Sequence, residues 1–278
     1  MELTDILSLS SFIILTFLYC IKLKSRLTFA IMGNDGLLGD LKRFEHYSLA
    51  GYFVLVIISQ IVLNVMSMYF KCGGDFADSL TTAFSLTILP WTLIFGVVII
   101  ALMVFPGFKS AFSDVIGYFY ISSKANEVLN QLLIDKNIRM ETLNPADKDK
   151  MKDAADLVMK IYGNTSILIN QMVPSNFKQI WDQMRILRKP EYQDDANPNT
   201  NLLKEQLFSL VVTRENVGEA MWYIYTGLLI VSLVKMNMET RGCSSSLDTM
   251  EKKYKQFLSN EKEKNNKDKV NAKVIYKE

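Results

Sequence analysis

Two stretches of this chain carry no charged residue over lengths that few folds can bury. Tyr47 to Phe70 reads "YSLAGYFVLVIISQIVLNVMSMYF", and Thr81 to Phe108 holds "LTILPWTLIFGVVIIALMVF". Each exceeds the roughly 20 residues a helix needs to cross a hydrocarbon core about 30 Å thick. A buried core helix of a soluble protein seldom runs so long without a charge. In lipid a lone segment satisfies its own backbone only as a helix, so two spanning helices joined by "KCGGDFADS" are expected.

Two shorter apolar segments flank them. "LSLSSFIILTFLYCI", Leu7 to Ile21, has Asp5 before it and Lys22, Lys24 and Arg26 after it. A cleaved signal peptide carries its cations before the apolar run and a small-residue site after it, so a signal anchor fits better. "GEAMWYIYTGLLIVSLVKM", Gly218 to Met236, is near the lower length limit for a span. Trp222, Tyr223 and Tyr225 at its start read, with Glu219, as an interfacial belt. Glu219 needs an interface or a partner there, and Lys235 can snorkel at the far end.

Between the third and fourth segments the chain changes character. "SSKANEVLNQLLIDKNI" places Val128, Leu129, Leu132 and Leu133 at helical spacing. "NPADKDKMKDAADLVMKIYG" opens with a capping Asn144, Pro145 at the first helical position and Asp147 at the positive end of the dipole. "PSNFKQIWDQMRIL" sets Phe177, Ile180, Trp181, Met184 and Leu187 on one face, and "NTNLLKEQLFSLVVTREN" leads toward the last apolar segment as one long helix. "RKPEYQDDANPNTN" reads as a polar loop. The fold class is therefore an all-α membrane protein, with three to four transmembrane helices and a helical bundle insert on one membrane face. The divisions are 1–46 for the anchor helix and basic loop, 47–108 for a helical hairpin, 109–216 for the soluble helical domain, 217–237 for a last span and 238–278 for a lysine-rich polar tail.

Lys22, Lys24, Arg26, Lys42 and Arg43 between the first two segments place that loop in the cytosol by the positive-inside tendency. Four spans then put the tail on the other side despite its lysines, a mild conflict. A net charge of +2 gives no strong field, so no nucleic-acid partner is indicated. Cys20, Cys72 and Cys243 form no C-x-x-C pattern, and His46 is the single histidine. Neither a disulfide scaffold nor a zinc site follows from them. Phosphate loops, nucleophile elbows, zinc-protease and dinucleotide motifs are absent from the sequence, so no enzyme activity, cofactor, metal or catalytic residue is expected. Gln60 and Asn64, four apart on one face of the second span, read as polar contacts between helices.

"FPGFKSAFSDVIGY" ends the third apolar run. Phe105, Pro106, Gly107, Phe108 and Lys109 read as a membrane-exit elbow, with Lys109 reaching headgroups and Pro106-Gly107 allowing a turn that bulkier residues resist. "FPGFKSAFSDVIGYFY" and "TRENVGEAMWYIYTGLLIVS" resemble segments of membrane and minor capsid-associated proteins of large icosahedral DNA viruses of the phycodnavirus and mimivirus kind. The resemblance covers Thr81 to Met236. It implies a location in a virion's internal membrane, or a host endomembrane during assembly. It implies a structural role linking bilayer to capsid shell, with the lipid bilayer and capsid proteins or other virion membrane proteins as partners, in multiple copies. It carries no catalytic residues. The same spans would also suit a channel, pore or fusion component, or an accessory membrane subunit of a cellular complex.

Overall fold

The computed structural model describes residues 3–24, 26–72, 76–133, 165–241, 243, 251 and 254–264. The insert helix expected over 144–163 lies outside them. Among the described residues the chain is helical, and the only ladder-type contact is an isolated bridge between Leu133 and Arg188.

Among the described residues four helices are long and apolar enough to cross a membrane. The first is α1, Leu3–Leu18, extended by a π-helical turn over Tyr19–Leu23. A short α2, Phe29–Met32, follows. The second is α3, Asp35–Cys72, whose charged first turns give way to the uncharged run. The third is α4, Phe76–Pro90, which continues through a π turn at Trp91–Phe95 into α5, Gly96–Val104. Pro90 cannot donate to the helix ladder, and the widened turn directly after it lets the span continue. After a passage of short helical turns over 106–117 come α6, Tyr118–Leu132, α7, Thr165–Gln171, and α8, Phe177–Gln183. The fourth long helix is α9, Pro198–Arg241, 44 residues.

Among the described residues two large apolar cores are strung along α9, besides a small one of Val65, Met68 and Ala83. One lies within the membrane-length helices and is built from Phe12, Tyr52, Trp91, Phe95, Tyr223 and Ile230 among others. The other lies in the insert, where Ile121, Leu129, Trp181, Leu207 and Phe208 pack together. The insert stripes expected from spacing are found there. Val128, Leu129, Leu132, Leu133, Phe177, Trp181, Met184 and Leu187 are buried, and Ile180 packs against them half-buried. At 1.5 Å per residue α9 is about 66 Å long, roughly twice the hydrocarbon thickness. One helix thus serves both layers. Outward on the long helices stand Val54, Leu55, Ile58, Leu93, Val97 and Ile100, an apolar surface suited to lipid and poorly suited to water.

The polar loop read at 188–201 is not free. Arg188 is wholly buried, its guanidinium 4.1 Å from the centre of the Trp181 ring, with Asp195 at 2.8 Å and the Trp181 carbonyl at 2.8 Å. The planar cation stacks on the indole and ties the loop down. Asn197 then starts α9, its side-chain oxygen accepting from the Asn199 amide, with Pro198 at the first position. At the opposite end of the long helices Cys72 and Cys243 are joined in a disulfide. No local pattern announces it, because the partners lie at the ends of different helices. Within the tail, residues 254–264 are helical and mostly exposed.

Candidate functional site

Glu219 sits midway along α9 and is 5% exposed. Lys24, just beyond the first span, brings its Nζ to 2.7 Å from Oε1, and Lys109, just beyond the third, reaches Oε2 at 2.5 Å. One turn on, the Tyr223 hydroxyl donates to Oε1 at 3.0 Å. Tyr19 and Tyr52 stack at 4.5 Å beneath this cluster. A carboxylate taken out of water is tolerated only when paired and hydrogen-bonded, and Glu219 is both. Burial disfavours the Lys109 ammonium, but Glu219 outweighs that and holds its pKa above the ordinary value. Three chain segments distant in sequence are locked at one level.

Around the lock the backbones approach closely. Gly218 faces Ser113, and a Cβ built on it would lie 2.6 Å from the Ser113 Cβ and 2.7 Å from its backbone nitrogen. A Cβ on Gly117 would strike the Arg214 carbonyl in the same way. These two glycines let the passage 113–117 lie directly on α9. The Trp222 indole N–H donates to the Phe108 carbonyl at 2.9 Å, and Phe112 packs edge-on against the Trp222 ring.

Within the elbow read at Phe105 to Lys109, the residues contribute unequally. Phe105 leaves the helical region at φ −119°, ψ 78°, and Pro106 starts a single 3₁₀ turn ending at Lys109. Gly107 does not take a left-handed conformation, and an added Cβ there meets nothing within 4 Å. The break is set by Phe105 and Pro106. It shifts the chain without turning it away, since α5 before it and α6 after it both contact α9.

Gln60 and Asn64 are buried. Gln60 accepts from the Ser8 hydroxyl at 2.7 Å and donates to the Ser8 carbonyl at 2.9 Å, joining α3 to α1. Asn64 donates to the Thr87 hydroxyl at 3.0 Å, joining α3 to α4. Of the residues read as an interfacial belt, Tyr225 is 51% exposed and Trp222 half-buried, whereas Glu219 and Tyr223 point into the bundle. The lock explains that difference: the acid turns inward to its two lysines and takes Tyr223 with it.

A further buried cation, Arg214, was not visible in the sequence. Arg214 is 1% exposed and donates to the carbonyls of Ile169 and Met172, at the end of α7, with Asp114 at 3.9 Å. It satisfies carbonyls that the helix end leaves open and suits the negative end of the dipole. The signal for both clusters was an ionisable residue beside an apolar run, with its partners far along the chain. Among the described residues no three His, Cys, Asp or Glu side chains are placed to hold a metal ion.

No protein-family model, curated protein or solved structure matches the chain.

Proposed function

We propose that the protein is a non-catalytic structural component of a virion's internal membrane, carrying a helical domain that ties the bilayer to the capsid shell. One observation carries this reading: a single unbroken helix, α9, belongs to both cores, and at the boundary between them Glu219 binds the ends of two other spans. Such a construction transmits load between a membrane anchor and a rigid head. The resemblance of the two segments at 105–120 and 213–232 to proteins of large icosahedral DNA viruses supplies the setting. Within the bundle, Gln60 bonds to Ser8, Asn64 to Thr87 and Thr16 to Tyr52, each across two helices, and the ring cluster of Phe12, Trp91 and Phe95 fills the middle. That favours packing over conduction.

Crosslinking of intact particles tests it. The exposed Lys178 and the half-exposed Lys189 should join to shell proteins far more often than to genome-packaging proteins. Lys204 should not, because it lies 4.4 Å from the Phe29 ring and near Asp195 with little exposure. Crosslinks confined to the bilayer, together with ion conductance of the purified protein in liposomes, would replace this reading with a channel.

A further inference from the structure

A cavity of about 470 Å³ opens beside the lock. Lys24 and Lys109 line it from the ends of two spans, Glu45 from the lower part of α3, Val173 from the turn after α7, and Arg214 and Glu215 from α9. We propose that it holds the headgroup of one zwitterionic phospholipid, its phosphate toward Lys24, Lys109 and Arg214 and its amine toward Glu45 and Glu215.

Position is the first argument. Two spans end in residues of its wall, so it lies where headgroups lie. Unused donors are the second. Lys24 and Lys109 share one carboxylate, yet each ammonium has three N–H groups. A phosphate oxygen is an acceptor for the N–H groups that the shared carboxylate does not take. Charge balance is the third, and it selects the ligand. Lys42 and Asp114 also face the space. The wall therefore carries four cations and three acids, with Glu219 behind. A bare anion would meet Glu45 and Glu215 at close range, whereas a headgroup carrying both signs meets both. Leu27, Leu38 and Val212 add an apolar side for the glycerol region. The volume falls within the range of small-molecule sites, about 300–1,000 Å³.

The proposal rests on the membrane location of the four long helices and not on any shell partner. The test is native mass spectrometry of the full chain, taken from nanodiscs holding equal phosphatidylethanolamine and phosphatidylglycerol. One phosphatidylethanolamine should remain bound per chain. Val173→Trp fills the space without touching the lock and should lower retention about tenfold, with helix content and the Cys72–Cys243 disulfide unchanged. Glu45→Lys should shift the retained lipid to phosphatidylglycerol. Three outcomes overturn the proposal: no retained lipid, equal retention in Val173→Trp, or no preference between the two lipids. Displacement of the retained lipid by millimolar inorganic phosphate would also overturn it, since the ligand would then be a soluble phosphate.

Discussion

Glu219 joins the ends of two spans to the middle of α9. Replacing it with glutamine leaves Lys24 and Lys109 facing each other without the buried carboxylate they share, with only Glu215 and Glu45 farther off to offset them. Removing one partner from a buried ion pair costs about 3–5 kcal/mol. Lys109→Met is a milder change, because Lys24 and Glu219 remain as a neutral pair; loss of one charged hydrogen bond costs about 1.5–3 kcal/mol. Denaturant unfolding in mild detergent should therefore rank Glu219→Gln as clearly the weaker protein. Equal losses would mean that the two lysines do not share the acid. Asp195 offers a pH test in the insert. Partial burial pushes its carboxyl up, but hydrogen bonds from Arg188 and Trp181 and the charge of Lys204 outweigh this and hold it below the ordinary value. Its folded pKa is thus the lower one, so its contribution is fully present above about pH 4 and disappears as pH falls through the folded value. Asp195→Asn should flatten the acid limb of the insert's unfolding, followed by Trp fluorescence. An unchanged limb would remove Asp195 as its source.

At the scale of elements, glycines separate contact from convenience. Gly107 has open space about it and Gly218 has none. Gly107→Ala should be neutral in stability, while Gly218→Ala forces α9 and Ser113 apart, and overpacking of this kind costs about 1–3 kcal/mol. Thermal unfolding of the two variants in detergent decides it, and a tolerated Gly218→Ala would show that the passage 113–117 need not sit on α9. The helices themselves were legible in the sequence. An uncharged run of span length allows little else, and the stripe from Phe177 to Leu187 has one face to bury. The break at Phe105 was legible as a place in the pair Pro106-Gly107; Pro106 opens the turn, while Gly107 has open space about it. A Pro-Gly pair marks a break without saying which residue sets it. Arg188 reads as part of a polar loop because composition hides a guanidinium stacked on an indole seven residues earlier.

The whole molecule has two ends that the sequence marks unequally. The basic end is visible at once, because Lys22, Lys24, Arg26, Lys42 and Arg43 crowd one short region. The opposite end is marked by a disulfide whose cysteines lie 171 residues apart, a separation that no motif spans. The pairing places Cys243 beside Cys72 at the end of α3. It thereby answers the conflict raised by the tail's lysines, since Cys72 and Cys243 occupy one face. Disulfides persist in oxidising compartments and cationic loops stay in the cytosol, so the two marks agree on a single orientation. In sealed membranes a non-permeant reductant followed by a non-permeant maleimide should label Cys72 and Cys243 from the non-cytosolic side. A cysteine introduced by Ser175→Cys should be labelled only after the membrane is opened. Labelling of Ser175→Cys from the same side as Cys72 would show that the insert and the disulfide share a face. The third long helix would then not cross, and the boundary drawn through Lys24, Lys109 and Glu219 would lie elsewhere than at a membrane surface.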